Sequence, residues 1–194
     1  MGKSLKKTTL EYENVILDEI EFAGYDLNNS KFLEVEFNAC DFENVYMSGA
    51  SICGSIFNDC VFHNNIFRKG NADNAKFIRS NLYKMEGFRT SFYQTSFLDL
   101  SIAKTNFENV RISRASFVNI IFENCCFKNA SLKDSIFKNV TMVGCYFENT
   151  RFMNIDIAEN IKFEETTIKI GNIIESGKGT DDLTIIDSFL TCKN

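Results

Sequence analysis

A five-residue period constrains this chain more than any other feature. Phe37, Phe57, Phe77, Phe97, Phe117 and Phe137 recur every twenty residues, and the same phase repeats at every fifth residue between them. From Leu17 to Ile157 that phase is filled almost throughout by Phe, Leu, Ile or Met, and of the 20 Phe only Phe88, Phe163 and Phe189 lie off it. A helix repeats at about 3.6 residues and a strand at about 2, so a strict five fits neither. Self-similarity at a fixed period is the signature of a solenoid. Two residues before each large apolar residue stands a mostly small one, as at Cys40, Ser55, Cys60, Ala75, Ser80 and Ala115. A large and a small side chain pointing inward together fill a narrow interior at crystal-like density. The other three positions are rich in Asn, Ser, Asp, Glu, Lys and Arg and so face water.

The order small, polar, Phe or Leu, then two further residues is seen in Ser80-Asn81-Leu82-Tyr83-Lys84, Ala115-Ser116-Phe117-Val118-Asn119 and Ala130-Ser131-Leu132-Lys133-Asp134. It resembles the pentapeptide-repeat family over residues 15–159, with Phe used more than Leu and with Ser, Thr or Cys as often as Ala. The resemblance implies an all-β fold, a right-handed quadrilateral parallel β-helix with four pentapeptides per coil. The length of the periodic stretch then gives about seven coils, a rod about 34 Å long at about 4.8 Å per coil. Residues 1–14 are expected to form an N-terminal tail and cap, 15–159 the β-helix, and 160–194 a C-terminal cap. In that cap Thr166 to Ile174 and Leu183 to Leu190 read as two strands of a hairpin around the turn-like residues 175–182. A solenoid needs such covers because a bare last coil exposes both core and unpaired strand edge.

Charge is unevenly spread. The whole chain nets −5. From Glu13 to Asp59 the only base is Lys31, against Asp18, Glu19, Glu21, Asp26, Glu34, Glu36, Asp41, Glu43 and the two bounding acids. Asp18, Glu19, Glu36 and Asp59 fall on the face of the long Phe column and form a candidate acidic interaction face. The centre reverses sign through Arg68, Lys69, Lys76, Arg79, Lys84, Arg89, Lys104, Arg111 and Arg114. Here the outward residues after each large position, Ile78, Tyr83, Phe88, Tyr93 and Leu98, are apolar or aromatic. Arg68, Lys69, Arg79, Tyr83, Phe88, Arg89 and Tyr93 therefore make a candidate interaction belt. The repeat is also irregular in this region, with Asn65 and Gly70 at small positions, Ala72 and Gly87 at large ones, and Met85 placed to refill the gap. A locally distorted coil is expected there.

No catalytic centre is legible. Gly177-Lys178-Gly179-Thr180 lacks both the first Gly and the Lys-Ser/Thr pair of a phosphate loop. The pairs Asp41/Glu43, Glu164/Glu165 and Asp181/Asp182 read as solvated charge, and His63, the one His, has no partner at a telling spacing. Cys40 and Cys60, and likewise Cys125 and Cys145, lie twenty apart at small inward positions and read as reduced fillers, with a cross-coil disulfide as the alternative. No metal or cofactor is expected, and the chain is not expected to be an enzyme. No apolar run approaches the about 18 residues of a membrane span. The basic Met1 to Thr9 runs into Glu11 and Glu13 instead of an apolar stretch, so a cytoplasmic location is expected.

The resemblance implies a protein partner, and its best-known form is binding of bacterial type II topoisomerases, DNA gyrase and topoisomerase IV, by a rod that imitates duplex DNA. A duplex of the rod's length carries about 20 charges, far more than this chain offers. The sequence therefore implies a non-catalytic protein-interaction module with gyrase as its leading named partner. Two alternatives stand beside it: a structural rod, including a homodimer joined through a rod end, and a polyanion binder using the central belt. Net acidity argues against direct nucleic-acid binding.

Overall fold

The structure, a computed structural model, describes residues 6–168 and 173–176. It is a parallel, four-sided β-solenoid of about eight turns. Leu17, Phe37, Phe57, Phe77, Phe97, Phe117, Phe137 and Ile157 pair in register, each one coil above the last. Their face is called face one, and faces two, three and four follow along the chain, centred on Phe42, Met47 and Ile52 in the coil that Phe37 opens. The six Phe of face one stack nearly parallel, with ring centroids 4.7 to 5.3 Å apart. Rings from face two meet them edge-on, as Phe42 meets Phe37 at 5.5 Å. Offset stacking along the rod and edge contacts across it are the two arrangements that aromatic quadrupoles favour.

Each corner is turned by one residue in the left-handed region. Every fifth residue from Asn14 to Asn154 has φ between 48° and 70°. Asn and Gly tolerate this conformation best, which accounts for the Asn-rich corners. Side chains there continue the stacking: Asn149 Nδ2 donates to Asn129 Oδ1 at 3.3 Å, and Asn154 Nδ2 to Asp134 Oδ1 at 2.9 Å. Asn109 of the former column instead donates to Glu108 at 3.2 Å.

The small inward residues do more than fill volume. Several corners close a turn bond, as where the N–H of Ser30 donates to Leu27 O and that of Ala75 to Ala72 O, both at 3.0 Å. At others the buried N–H is met from the next coil: Val35 N–H donates to Ser55 Oγ at 3.1 Å, Cys60 N–H to Ser80 Oγ at 3.0 Å and Ala115 N–H to Ser135 Oγ at 3.2 Å. The Ser55 and Ser80 hydroxyls donate onward to Phe32 O and Phe57 O at 2.9 and 3.1 Å. Buried backbone groups must be paired, and at these three positions the serine hydroxyl supplies the partner that an alanine could not. Asn65 follows the same rule with an amide. It accepts from Val45 N–H at 2.8 Å and donates to Phe42 O at 2.6 Å.

The centre is not a distorted coil. Strand register and corner conformation continue unbroken from Ile66 to Asn106. Side chains absorb the irregularity instead. The Phe67 ring fills the space a Gly70 Cβ would need, lying 2.1 Å from that position, and the Met85 methyl lies 4.0 Å from where a Gly87 Cβ would point. Beside Ala72, Phe67 and Phe92 meet edge-on at 6.5 Å.

Beyond Ile157 the solenoid does not stop. Val140 pairs with Ile161, Tyr146 with Thr167 and Arg151 with Ile173, all parallel. One inserted residue shifts the phase, so that Phe163 and Ile168 take the large inward positions, and Phe163 is buried against Phe147 at 6.0 Å. Thr167–Ile168 and Ile173–Ser176 thus continue the parallel ladder where one arm of a hairpin was expected. The other arm, 183–190, lies outside the described residues. At the opposite end Glu11–Glu13 already pairs with Lys31–Leu33.

Candidate interaction surface

The first three coils carry the acidic surface. Asp18, Glu36 and Asp59 all lie on face one or the corner after it, with Glu19 at the same corner as Asp59. A ladder of amides holds them: Asn38 Nδ2 donates to Asp18 Oδ1 at 2.9 Å, and Asn58 Nδ2 to Asn38 Oδ1 at 2.8 Å and to Glu36 Oε1 at 3.2 Å. Asp59 is different. The Arg79 guanidinium donates to both its oxygens at 2.8 and 2.7 Å, and that pairing holds the Asp59 carboxyl below the usual carboxylate range. Its charge is therefore countered within the rod.

A denser acidic patch lies around the corner on face two. Glu21 and Asp41 pair in adjacent coils, with Glu43 in the same strand as Asp41. Asp41 Oδ1 is shielded from solvent and has no hydrogen-bond partner among the described residues. Burial, then the carboxylates of Glu43 and Glu21, push the Asp41 carboxyl upward, and His63 opposes them. His63 Nδ1 stands 4.0 Å from Glu43 Oε1. The twenty-residue spacing of Glu21 and Asp41 was the available signal in the sequence; read only as a pair with Glu43, Asp41 gave none.

A raised carboxyl pKa means the folded state holds the proton to higher pH than the unfolded chain. Stability then falls as pH rises through that window, and the penalty is complete above it. Asp41→Asn is accordingly expected to raise the melting temperature at pH 7. The gain should vanish once the pH falls below the ordinary carboxylate range, which thermal melts across pH 3 to 7 would read.

The candidate belt is spread around the rod. Ile78, Tyr83, Phe88, Tyr93 and Leu98 are half-buried, not exposed, and all four faces share them. Lys104 Nζ donates to the Tyr83 hydroxyl at 3.1 Å and Arg114 Nη1 to that of Tyr93 at 2.9 Å. Arg89 lies over the Phe88 ring at 5.0 Å, and Arg68 pairs with Glu86 at 3.3 Å. Arg79 sits at the corner between faces one and two, diagonally opposite Lys69 and Arg89 at the corner between faces three and four. The belt is thus not one surface, because consecutive repeats turn a corner each.

The six described cysteines are free. Burial pushes the Cys60 thiol up to about 12 and raises Cys40 as well, so both are poor nucleophiles. Cys125 is buried and Cys126 half-exposed, as their alternate positions require. Cys192 lies outside the described residues. No group of His, Cys, Asp or Glu among the described residues is arranged to hold a metal. No helix among them is long and apolar enough to cross a membrane.

A four-sided parallel solenoid built on a five-residue unit, with its polar chemistry on the outside, defines a repeat rod. The pentapeptide-repeat family model matches residues 46–83 and 122–154 in eight copies, so the chain carries the repeats of that family over those residues. Among solved structures it is similar to full-length QnrB1, a plasmid-mediated fluoroquinolone resistance protein, at 15% identity over 95% of this chain and 100% of that one, with a TM-score of 0.42. It is also similar to HetL, a pentapeptide repeat protein involved in heterocyst differentiation regulation from the cyanobacterium Nostoc, at 11% identity over 87% and 86% of the two chains, with a TM-score of 0.25. A pentapeptide repeat protein from the Arabidopsis thaliana thylakoid lumen matches at 16% identity over 55% and 68%, with a TM-score of 0.32. No curated protein matches the chain.

Proposed function

We propose that this chain is a non-catalytic protein-interaction rod whose acidic first three coils dock on a basic protein surface, with the DNA-binding surface of a type II topoisomerase as the named candidate. The observation that carries the reading is the adjoining pair of acidic faces. Asp18, Glu19 and Glu36 on one side and Glu21, Asp41 and Glu43 on the other give these coils a negative strip, and Lys31 lies away from it on face four. Lys31 is itself paired with Glu11 at 3.0 Å. Carboxylates held by stacked amides are pre-organised, which lowers the ordering cost of binding. Complementary charge also steers encounter with a basic partner.

The test is gyrase supercoiling with increasing purified protein. Inhibition at low micromolar concentration is expected, weakened by Glu21→Lys, Glu36→Lys and Glu43→Lys together. Asp59→Asn combined with Arg79→Asn should change little, since those two charges already cancel. Unaltered supercoiling at high protein concentration would remove the topoisomerase from the reading.

A further inference from the structure

We infer that the corner between faces three and four carries a second site, which binds a short chain of phosphate groups. Lys69 and Arg89 occupy this corner in successive coils, both with left-handed backbone that throws the side chain outward. Arg111 stands beside them on face four, one coil above Ser91. Together they border a depression of about 540 Å³, with the short Ser91 and the backbone of Gly70 and Thr90 between them. An adjoining depression shares Lys69 and is bordered by Phe88.

These three side chains have no direct ion-pair partner. None of them makes an ion pair among the described residues, whereas Lys31, Arg68, Arg79, Lys128 and Lys138 each do. The nearby carboxylates are turned to other groups. Glu86 takes Arg68, Asp73 accepts from the Ser91 hydroxyl at 2.6 Å and the Tyr93 N–H at 3.0 Å, and Glu108 accepts from Asn109. Lys84 and Lys104 are also stacked one coil apart, but they share the ring of Tyr83. Like charges held this close repel unless an anion lies between them.

The spacing selects the anion. Lys69 to Arg111 spans two coil steps, about 10 Å, which is longer than a single phosphate and suits a chain of two or three. Guanidinium groups grip phosphate oxygens in pairs, and an ammonium adds a point charge. Such a chain is either free or attached to a nucleoside, whose base would then lie toward Phe88.

The test is calorimetric titration of the full chain at low salt with inorganic phosphate, tripolyphosphate and ATP. One tripolyphosphate per chain is expected to bind, more tightly than inorganic phosphate and more weakly as salt rises. K69N/R89N should lose at least tenfold in affinity. Asn is native to this corner at Asn29, Asn109, Asn129 and Asn149 with the same backbone, so the double variant keeps the fold. R111Q, on the flat face, gives the same readout independently. R79N, at the diagonally opposite corner, should bind as the native chain does. Tighter binding of ATP than of tripolyphosphate assigns the source to nucleotides, and the reverse to free polyphosphate, provided K69N/R89N abolishes either. Absence of binding, or equal weakening by R79N and K69N/R89N, overturns the site. Loss of this site would leave gyrase inhibition untouched, because the acidic coils lie at the N-terminal end.

Discussion

Phe57→Ala should destabilise the rod by about 3–5 kcal/mol. Phe57 is fully buried and stands between two parallel rings, Phe37 at 4.7 Å and Phe77 at 5.0 Å, with Phe62 edge-on at 5.3 Å. The cost of such a truncation depends on how far the walls can close around the void. Here they cannot, because Phe37 and Phe77 are each fixed by backbone pairing to the coil between them. The natural gap at Ala72 shows the alternative. It is tolerated beside an edge-on contact of the Phe67 and Phe92 rings, whereas on face one the rings stack parallel on both sides of Phe57. Urea unfolding would show the loss as a lowered midpoint. A change below about 1 kcal/mol would mean that the neighbouring rings do relax.

Asn65→Ala should cost about 2–6 kcal/mol, since it strands two buried backbone groups at about 1–3 kcal/mol each. Val45 N–H would lose its acceptor and Phe42 O its donor. The change is small in volume, so cavity formation contributes little. Asn65→Ser separates the two causes. At Ser55 and Ser80 a hydroxyl makes the same pair of bonds, so serine should recover most of the stability although it is nearer alanine in size. Equal losses for alanine and serine would show that volume, not hydrogen bonding, sets this position.

The Phe column and its period were plain in the sequence because each large residue had one place to go. What the small positions do was not plain. Ser, Thr, Cys and Ala fit the same volume, and only the corner geometry reveals which of them must also bond an N–H from the coil below. The last coils were hidden for a simpler reason: one residue inserted after Ile157 moves Phe163 and Ile168 to a new phase, while their pairing continues. Charge was visible residue by residue but not by partner. Asp59 counted as part of the acidic face until Arg79, twenty residues on, proved to sit directly against it. Neighbours in the sequence of a solenoid face different ways, so the belt from Arg68 to Tyr93 divided among faces. Lys69, Arg89 and Arg111, spaced by about one coil each, came together instead.

The most direct measurement is competition for the DNA site of purified gyrase, using a fluorescent duplex of about the rod's length and following its anisotropy as unlabelled protein is added. The acidic-strip account predicts displacement of the duplex at low micromolar protein, and no displacement by the E21K/E36K/E43K variant, whose melting temperature should remain close to native. Full retention of the duplex at saturating protein, or equal displacement by the native and charge-reversed chains, would contradict it.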